Sequence, residues 1–586
     1  MKRLPHVLLL ILIALTGKIS AQDLDLKWSE TQIYDNKADG FFDSYIDANS
    51  KYVYAKFHKN ARSVKKEESK MKLVAFDKTT MKKAADGPLV GYPENAANKD
   101  QYKGLKYYKT IVFEDVVYVF WIKETKEKEE LHVQSFDNKL KVKNKIKKIY
   151  EVSNNQSRRS RMAQSIFVLA NDVNGEKLVI GAEQPTAAGQ DAKFEYKVLN
   201  QDFSFAAANQ VTLPITLSNK SFGLSSSYEF GDDGNLYVKS YVTMSKEERK
   251  NAKKGEATAY SILSVVDLNS GKITPYTMKF DNKNIFNFGY RVDKNVVKVY
   301  GFFCDLDKDP RGDDMHGIFY SLLDSKSMTM KDMNFAYFDK STLDKLFAKD
   351  KEDQKKGGGV FKSKKSKQSD DESLDSRFEI ESVQSVDDKN IVIFCSKMYN
   401  YSRRVCTSDG KGNTTCTTYY YCEKSNVTAF KLNNDGDIVW ASNLDRKITY
   451  NTWYVYDLNV IHKGNKFYAI YGSSFQTKAA KKGFFTRKSG KQSFDKFEYA
   501  VFDYETGNYS KKEYTINPMN AKKADRKTIT PSDITVIDNN FYSSFSRVKL
   551  KPWSYALCLC PPAFYVCLIN GSIMKGTGNL GKISPL

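Results

Sequence analysis

A repeated strand-and-turn unit constrains the fold of this 586-residue chain more than any other feature. A turn residue followed by a short run of β-forming residues recurs at eight equivalent positions: Tyr54, Tyr118, Leu178, Tyr237, Val297, Val392, Tyr468 and Tyr542. The successive spacings are 64, 60, 59, 60, 95, 76 and 74 residues. Four nearly equal intervals indicate an internal repeat, in which one structural unit is used many times.

A second element recurs in phase with the first, an apolar strand that ends in Asp or Asn and is followed by a turn. Its instances are Leu73 to Asp77, His132 to Asp137, Tyr196 to Asn200, Leu263 to Asp267, Tyr320 to Asp324, Ala429 to Asn433, Tyr499 to Asp503 and, more weakly, Val566 to Asn570. Each unit therefore holds about four antiparallel strands. Long helical periodicity is absent.

Units of about 70 residues that are rich in Tyr, Phe and Val are typical of the blades of a β-propeller. Such a unit buries its two faces only against its neighbours, so the units must pack radially. The sequence thus predicts an all-β fold, a β-propeller of about eight four-stranded blades. Seven blades with an irregular end, or two separate β-domains, are the structural alternatives. Residues 24 to 36 could add an outer strand to the last blade and close the ring.

The first 21 residues have the pattern of a secretory signal peptide. Lys2 and Arg3 precede an apolar run from Val7 to Leu15, which is half of what a bilayer span needs, and small residues lead to Ala21. We therefore expect a single propeller domain over residues 22–586 with no transmembrane segment. A mobile insertion is expected at about 349–375, where the composition is too polar to pack.

The eight cysteines all lie in the second half of the chain, and the absence of a Cys at the cleavage site argues against a lipoprotein. We expect an exported protein, periplasmic or extracellular, where disulfides can form. Cys406 and Cys416 are equidistant from a Gly410-Lys411-Gly412 tip and are predicted to pair. A metal site that also uses Cys422 lacks tight spacing and a fourth ligand. Pairing stays open for Cys304, Cys395, Cys422, Cys558, Cys560 and Cys567.

Motifs for catalysis or metal binding are weak. Asp305, Asp307 and Asp309 resemble the start of a calcium loop, but Pro310 stands where such loops use Gly, so a solvated acidic turn is the preferred interpretation. No nucleophile elbow, zinc-protease motif or phosphate-binding loop occurs. The histidines beyond the signal are dispersed among different units: His58, His132, His316 and His462. No catalytic residue, cofactor or metal is therefore predicted.

The charge balance points to an anionic partner. Lys and Arg number 92 against 70 Asp and Glu, a net charge of +22, which falls to +19 without the three basic residues of the signal. Loop lysines suit weak attraction to many phosphates or carboxylates. Nucleic acid is an improbable target for an exported protein without a recognised binding module. An anionic glycan or lipid of the envelope is the predicted partner, with a role in solubility alone as the alternative.

The chain has a resemblance to a known group of proteins. The resemblance rests on the exported start and on three segments, Gly317 to Asp324, Asn433 to Trp440 and Trp453 to Val460. The chain resembles the secreted β-propeller-like proteins of Bacteroidota, whose functions are uncharacterised. The resemblance implies no catalytic residues. Many exported proteins of that group end in a sorting domain, whereas Gly576 to Leu586 looks like a last blade edge, which favours the periplasm.

Two classes of function remain from the sequence. The first is a binding or scaffold module for an envelope protein or glycan. The second is a hydrolase or lyase that acts on an extracellular polymer from a site at the propeller axis, where distant residues can meet. The missing chemistry favours binding over catalysis.

Overall fold

The structure is a computed structural model. It describes residues 23–29, 32–34, 41–58, 71–90, 104–113, 115–125, 127–153, 167–171, 178–184, 191–216, 227–231, 233–244, 247, 250, 259–309, 314–343, 374–375, 378–387, 390–408, 414–446, 448–450, 458–471, 496–516, 534–550 and 574–586. The expected signal peptide and nearly all of the insertion expected at about 349–375 lie outside these residues.

Eight four-stranded antiparallel sheets form an eight-bladed β-propeller, as the sequence predicts. The first two described strands, β1 (Leu24–Trp28) and β2 (Gln32–Tyr34), belong to the last blade. Blade 1 consists of β3 (Phe41–Ala48), β4 (Tyr52–His58), β5 (Met71–Asp77) and β6 (Lys83–Val90). Blade 2 consists of β7 (Leu105–Phe113), β8 (Val116–Glu124), β9 (Lys128–Asp137) and β10 (Val142–Ser153).

Blades 3 to 5 repeat this pattern. Blade 3 consists of β11 (Phe167–Asn171), β12 (Leu178–Gln184), β13 (Asp191–Leu199) and β14 (Phe205–Thr216). Blade 4 consists of β15 (Ser227–Phe230), β16 (Asn235–Thr243), β17 (Ala259–Asp267) and β18 (Ile273–Met278). Blade 5 consists of β19 (Lys283–Asp293), β20 (Val296–Asp305), β22 (Gly317–Asp324) and an outer position that β23 (Thr329–Met330) and β24 (Asn334–Tyr337) share. Outside this sheet, β21 (Asp314–Met315) pairs with β25 (Leu374–Asp375).

Blades 6 to 8 complete the ring. Blade 6 consists of β26 (Phe378–Ser385), β27 (Ile391–Ser408), β28 (Thr414–Leu432) and β29 (Ile438–Leu444), with β30 (Ile448–Tyr450) paired to β28. Blade 7 consists of β31 (Asn459–Lys463), β32 (Lys466–Ile470), β33 (Lys496–Asp503) and β34 (Tyr509–Thr515). Blade 8 consists of β35 (Thr535–Ile537), β36 (Asn540–Leu550), β37 (Met574–Pro585) and β1. Within the described part of the chain, no helix is long and apolar enough to cross a membrane.

The repeat seen in the sequence is the blade itself. All eight equivalent positions, from Tyr54 to Tyr542, lie in the second strand of a blade, and the first seven instances of the second element form or begin in the third strand. The eighth instance, Val566 to Asn570, lies outside the described residues, and β37 is the third strand of blade 8. The interpretation of Gly576 to Leu586 as a blade edge is wrong, because β37 lies between β36 and β1.

The first described strand closes the ring. β1 pairs with β37 from Leu24 opposite Pro585 to Trp28 opposite Gly581, and β2 extends the same edge. The prediction that residues 24 to 36 add an outer strand to the last blade is thus confirmed. Blade 8 therefore consists of strands from both ends of the described chain, which joins blade 8 to the rest of the ring by backbone hydrogen bonds.

Side-chain donors join neighbouring blades across their first strands, which surround the axis. Lys109 Nζ donates to the Leu169 carbonyl at 3.2 Å, and Arg291 Nη1 donates to the Val383 carbonyl at 2.8 Å. Each contact satisfies a backbone carbonyl on the neighbouring blade, which would be costly to bury alone. Lys298 is fully buried and donates from blade 5 to Ser385 and to the Asp387 carbonyl of blade 6. Part of the large Lys and Arg content is therefore structural.

Candidate functional site: the ribbon of blade 6 and its buried base

The two faces of the propeller differ in how the strands are connected. Connections between the second and third strands lie on the same face as the connections between blades, because all four strands of a blade are antiparallel. On that face the chain uses residues 59–70, 472–495 and 551–573 to join such strands in blades 1, 7 and 8. On the opposite face, residues 138–141 suffice to join β9 to β10. We call the first the variable face, and functional residues concentrate in such connections.

Blade 6 departs most from the repeat. β27 and β28 have 18 and 19 residues and pair continuously from Ile391 opposite Leu432 to Ser408 opposite Thr414, apart from one irregularity near Lys397. β26 ends its pairing at Lys397, and β29 begins its pairing at Val427. Of the strands that the structure describes, only β27 and β28 pair with each other over residues 399–408 and 414–421, and we call this paired segment the ribbon. It lies on the variable face and reaches about 30 Å at the usual strand rise.

A disulfide joins the two strands of the ribbon. Cys406 lies directly opposite Cys416, and their sulfur atoms are bonded. The pairing predicted from the spacing of these two residues is confirmed. The bond fixes the strand register near the far end of the ribbon.

We expect non-reducing peptide mapping of protein from an oxidising compartment to recover the peptides of Cys406 and Cys416 joined. A Cys406→Ser/Cys416→Ser variant should be cut faster by protease within the ribbon, because a constraint on the local chain is lost. The blade strands should resist as before. Recovery of both thiols alkylated without prior reduction would contradict the assignment.

The 18 residues of the ribbon include five tyrosines and two arginines. Tyr401 lies opposite Tyr421, and Arg403 lies opposite Tyr419. Residues directly opposite, and residues two apart on one strand, share a side of a ribbon. These four residues therefore occupy neighbouring register positions of the ribbon. Basic residues in and next to the ribbon outnumber acidic ones: Lys397, Arg403, Arg404, Lys411 and Lys424 against Asp409 and Glu423.

A buried charged cluster lies at the base of the ribbon. Arg446 Nη2 donates to Glu381 Oε1 at 2.8 Å and to Ser396 Oγ at 2.6 Å. The second carboxylate oxygen, Glu381 Oε2, accepts a hydrogen bond from the Leu458 amide at 2.9 Å and lies 3.3 Å from Lys424 Nζ. The Arg446 and Glu381 side chains are 0% and 4% exposed. The cluster joins the first three strands of blade 6 to the start of blade 7.

The electrostatics of this cluster favour an ionised Glu381. Burial opposes ionisation of the carboxyl, but Arg446 and Lys424 outweigh it and hold the pKa of Glu381 below its usual value. Among the described residues, Nε and Nη1 of Arg446 have no hydrogen-bond partner. The buried guanidinium thus depends on Glu381 for its neutralisation. We interpret the cluster as the group that positions the ribbon on the propeller.

The three aspartates of the calcium-like motif have separate partners. Asp305 accepts from Tyr337 and forms an ion pair with Lys283 at 3.3 Å. Asp307 accepts from the Asn282 side-chain amide at 3.1 Å, and Asp309 accepts from the Asp314 backbone amide at 3.1 Å. In the described ranges, no group of three His, Cys, Asp or Glu side chains is arranged to hold a metal ion.

The described histidines do not meet at the axis. His132 lies 3.2 Å from Glu130 in blade 2, and His316 Nδ1 accepts the Asp305 amide at 3.1 Å in blade 5. His462 packs on the Phe467 ring in blade 7. The side chain of His58 lies outside the described part of the chain. The three described imidazoles therefore lie in three different blades, and each imidazole contacts a residue of its own blade.

Two other cysteines have buried thiols. Cys304 and Cys395 are free, and burial raises the pKa of Cys304 to about 12 and that of Cys395 well above the usual value. A thiol held in its protonated form is a poor nucleophile. These two residues therefore act as apolar core side chains. The remaining cysteines predicted with open pairing, Cys422, Cys558, Cys560 and Cys567, have side chains outside the described part.

The sequence signals found the disulfide but missed the ribbon and its base. The interval of 76 residues between Val392 and Tyr468 exceeds the blade repeat and contains the ribbon, so the excess length was an available signal. No sequence signal indicated Glu381 or Arg446, because these two residues, which pair with each other, are 65 residues apart in the chain.

Comparison with known proteins supports no family assignment. No known protein-family model matches the chain, and no curated protein matches it. Among solved structures, the WD40 domain of SCAP from fission yeast is similar with a TM-score of 0.32 and 8% identity, covering 94% of this chain and 98% of that domain. Drosophila Semaphorin 2a has a TM-score of 0.31 and 10% identity, covering 75% of this chain and 72% of its own. Scores this low carry no argument about function.

Proposed function

We propose that this protein is an exported binding module and that the ribbon of blade 6 contacts an anionic glycan of the cell envelope. The propeller fold is consistent with a binding or scaffold role. The proposal rests on the ribbon. The ribbon departs from the blade repeat, and the blades do not need it to form. Function commonly lies in such departures from a common fold.

The chemistry of the ribbon suits an acidic polysaccharide. Tyrosine offers a flat apolar ring with a polar end, on which a sugar ring can stack while its hydroxyls stay hydrated. Arg403 and Arg404 offer planar guanidinium groups that bind carboxylate or sulfate groups through paired hydrogen bonds. The net charge of +22 over the whole chain attracts a polyanion at longer range.

Export is part of the proposal. The disulfide between Cys406 and Cys416 is of a kind that persists in oxidising compartments, outside the cytoplasm. The signal-like start of the chain supports the same location. We therefore propose that the protein functions in the periplasm or outside the cell, where envelope glycans are accessible.

Retention on immobilised alginate, a polyuronate, tests the proposal against neutral dextran as the control matrix. We expect retention on alginate that weakens as salt rises, because screening shortens the range of the field to about 10 Å at 0.1 M salt. Arg403→Ser/Arg404→Ser should elute at clearly lower salt than the native chain. The matched control is Lys139→Ser/Lys272→Ser, which removes the same charge from exposed turns on the opposite face.

The control variant should elute close to the native protein. Equal shifts for both variants would mean that only total charge matters, and the ribbon would lose its assigned role. Equal retention on dextran and alginate, or retention that does not change with salt, would contradict recognition of an anionic glycan.

A further inference from the structure

The outer edge of blade 2 carries a line of lysines. β10 is the outermost strand of that blade, since among the described strands it pairs only with β9. The strand and the residue before it hold four exposed lysines at alternate positions, which we call the blade 2 stripe: Lys141, Lys143, Lys145 and Lys147. Because each of these side chains is exposed, the stripe is open to solvent and to a partner.

Acidic residues neutralise little of the stripe. Its first three lysines form no ion pair with a carboxylate of the described residues. At its far end, hydrogen bonds from Ser204 and the nearby charge of Lys147 hold the pKa of Asp202 below its usual value. Lys148, which follows the stripe, pairs with Glu151 at 2.8 Å. Alternate residues of a strand are about 7 Å apart, within a Debye length of about 8 Å, so the unpaired charges repel one another.

Protection of the sheet edge does not account for the stripe. Lysines on an edge strand prevent pairing with other chains, and so do bulges. The pairing of β10 with β9 contains three register irregularities, between Val142 and Asn144, Asn144 and Lys147, and Lys148 and Tyr150. The edge is therefore already unsuited to strand association. The outer strands of blades 4 and 6, β18 and β29, contain no lysine at all.

Apolar side chains accompany the stripe. Val142 lies within it, and both Val142 and Phe205 of blade 3 are exposed. The Asn144 side-chain amide donates to the Gln201 carbonyl at 3.3 Å, which joins β10 to the turn that precedes Phe205. Lysines next to exposed apolar residues suit a bilayer interface, where charges meet lipid phosphates and apolar groups enter the headgroup region. Tyr150, the one aromatic residue of β10, is buried, so this strand offers no ring on which a sugar could stack.

We propose that the blade 2 stripe binds the surface of a bilayer that contains anionic phospholipid. Lysine is a compact point charge that binds phosphate groups without a fixed geometry, and each lysine near such a surface raises affinity about fivefold. In a ring of eight blades, blade 6 lies across the ring from blade 2. Attachment at the stripe therefore leaves the ribbon accessible, and the proposal is independent of glycan binding.

Cosedimentation of the full chain with lipid vesicles tests the stripe. The native protein should bind vesicles of phosphatidylglycerol mixed with phosphatidylcholine, less so as salt rises, and should bind phosphatidylcholine vesicles much more weakly. Lys141→Ser/Lys143→Ser/Lys145→Ser should weaken binding to the anionic vesicles by about a hundredfold, because three lysine contributions are lost. The matched control, Lys272→Ser/Lys331→Ser/Lys466→Ser, removes the same charge from exposed positions in blades 4, 5 and 7 and should bind almost like the native chain.

Two further measurements separate lipid binding from other roles of the stripe. Lys141→Arg/Lys143→Arg/Lys145→Arg keeps the charge and should bind the anionic vesicles like the native chain. The two serine variants should elute together from alginate, because the ribbon is intact in both. Equal binding of the native chain to both kinds of vesicle, equal binding by the two serine variants, or loss of binding in the arginine variant would each overturn the proposal.

The alginate column also distinguishes this proposal from the proposed function. A stripe variant that keeps vesicle binding but loses alginate retention would make the stripe a glycan site and overturn lipid binding. Native protein that binds the anionic vesicles but is not retained on alginate would contradict the role of the ribbon and support the role of the stripe.

Discussion

Replacement of Glu381 by Gln is expected to lower the free energy of unfolding by about 3 kcal/mol at pH 7. The amide can accept a hydrogen bond but cannot neutralise the Arg446 guanidinium, which is 0% exposed, or the Lys424 ammonium, which is 5% exposed. Removal of one partner of a buried ion pair leaves a buried charge that water does not solvate. Chemical denaturation followed by circular dichroism measures the loss.

Glu505→Gln is the matched control for this substitution. Glu505 forms an ion pair with Lys431 at 3.0 Å, but its carboxylate side chain is 63% exposed. Lys431 is buried like Lys424, but water reaches the Glu505 carboxylate, so the control should change stability less than Glu381→Gln. If the two variants lose the same stability, the base of the ribbon does not depend on its buried charge pair.

The Glu381 effect should also depend on pH in a defined direction. Arg446 and Lys424 hold the pKa of Glu381 below its unfolded value, so ionised Glu381 stabilises the folded state. That contribution is complete above the unfolded pKa, which is near 4.3 for a Glu side chain, and is lost as pH falls through the lower folded pKa. The stability gap between the native chain and Glu381→Gln should therefore be widest above about pH 5 and narrow in acid.

The blade strands could be predicted because every blade places similar residues in the same positions. The equivalent Tyr residues at 54, 118, 237, 468 and 542 mark the second strand each time, where both faces are covered by neighbouring blades. Radial repetition makes these positions apolar in every unit. Tyr54, Tyr237 and Tyr542 are each 0% exposed. The predicted blade number is confirmed for the same reason.

The candidate site could be predicted only in part, because it depends on contacts between distant residues. Cys406 and Cys416 are close in sequence, and their symmetry about the tip was sufficient to pair them. Glu381 and Arg446 come from opposite ends of the blade 6 sequence, and Leu458 comes from the start of blade 7. Asp305 lies in a local motif that resembles a calcium loop, but its carboxylate binds Tyr337 and Lys283 from other strands. A local motif alone therefore gave the wrong partner for this residue.

Closure of the ring leads to the second large prediction. Leu24 is 1% exposed and packs in one cluster with Ile461 of blade 7 and with Phe541 and Ile583 of blade 8. The outer strand that contains Leu24 therefore secures both its own blade and the adjacent one. Leu24→Ala is expected to lower the free energy of unfolding by about 3 kcal/mol, because it removes buried apolar surface and leaves a cavity.

The control for closure is Leu26→Ala in the same strand. Leu26 is only partly buried at the edge of the same cluster, so its truncation should cost less than half as much in denaturant unfolding. Both variants keep the backbone pairing of β1 with β37, so their difference isolates packing at the seam. Equal losses, or no loss for Leu24→Ala, would mean that the seam is held by backbone pairing alone. The expected order follows because Leu24 is buried within the cluster and Leu26 only packs against it.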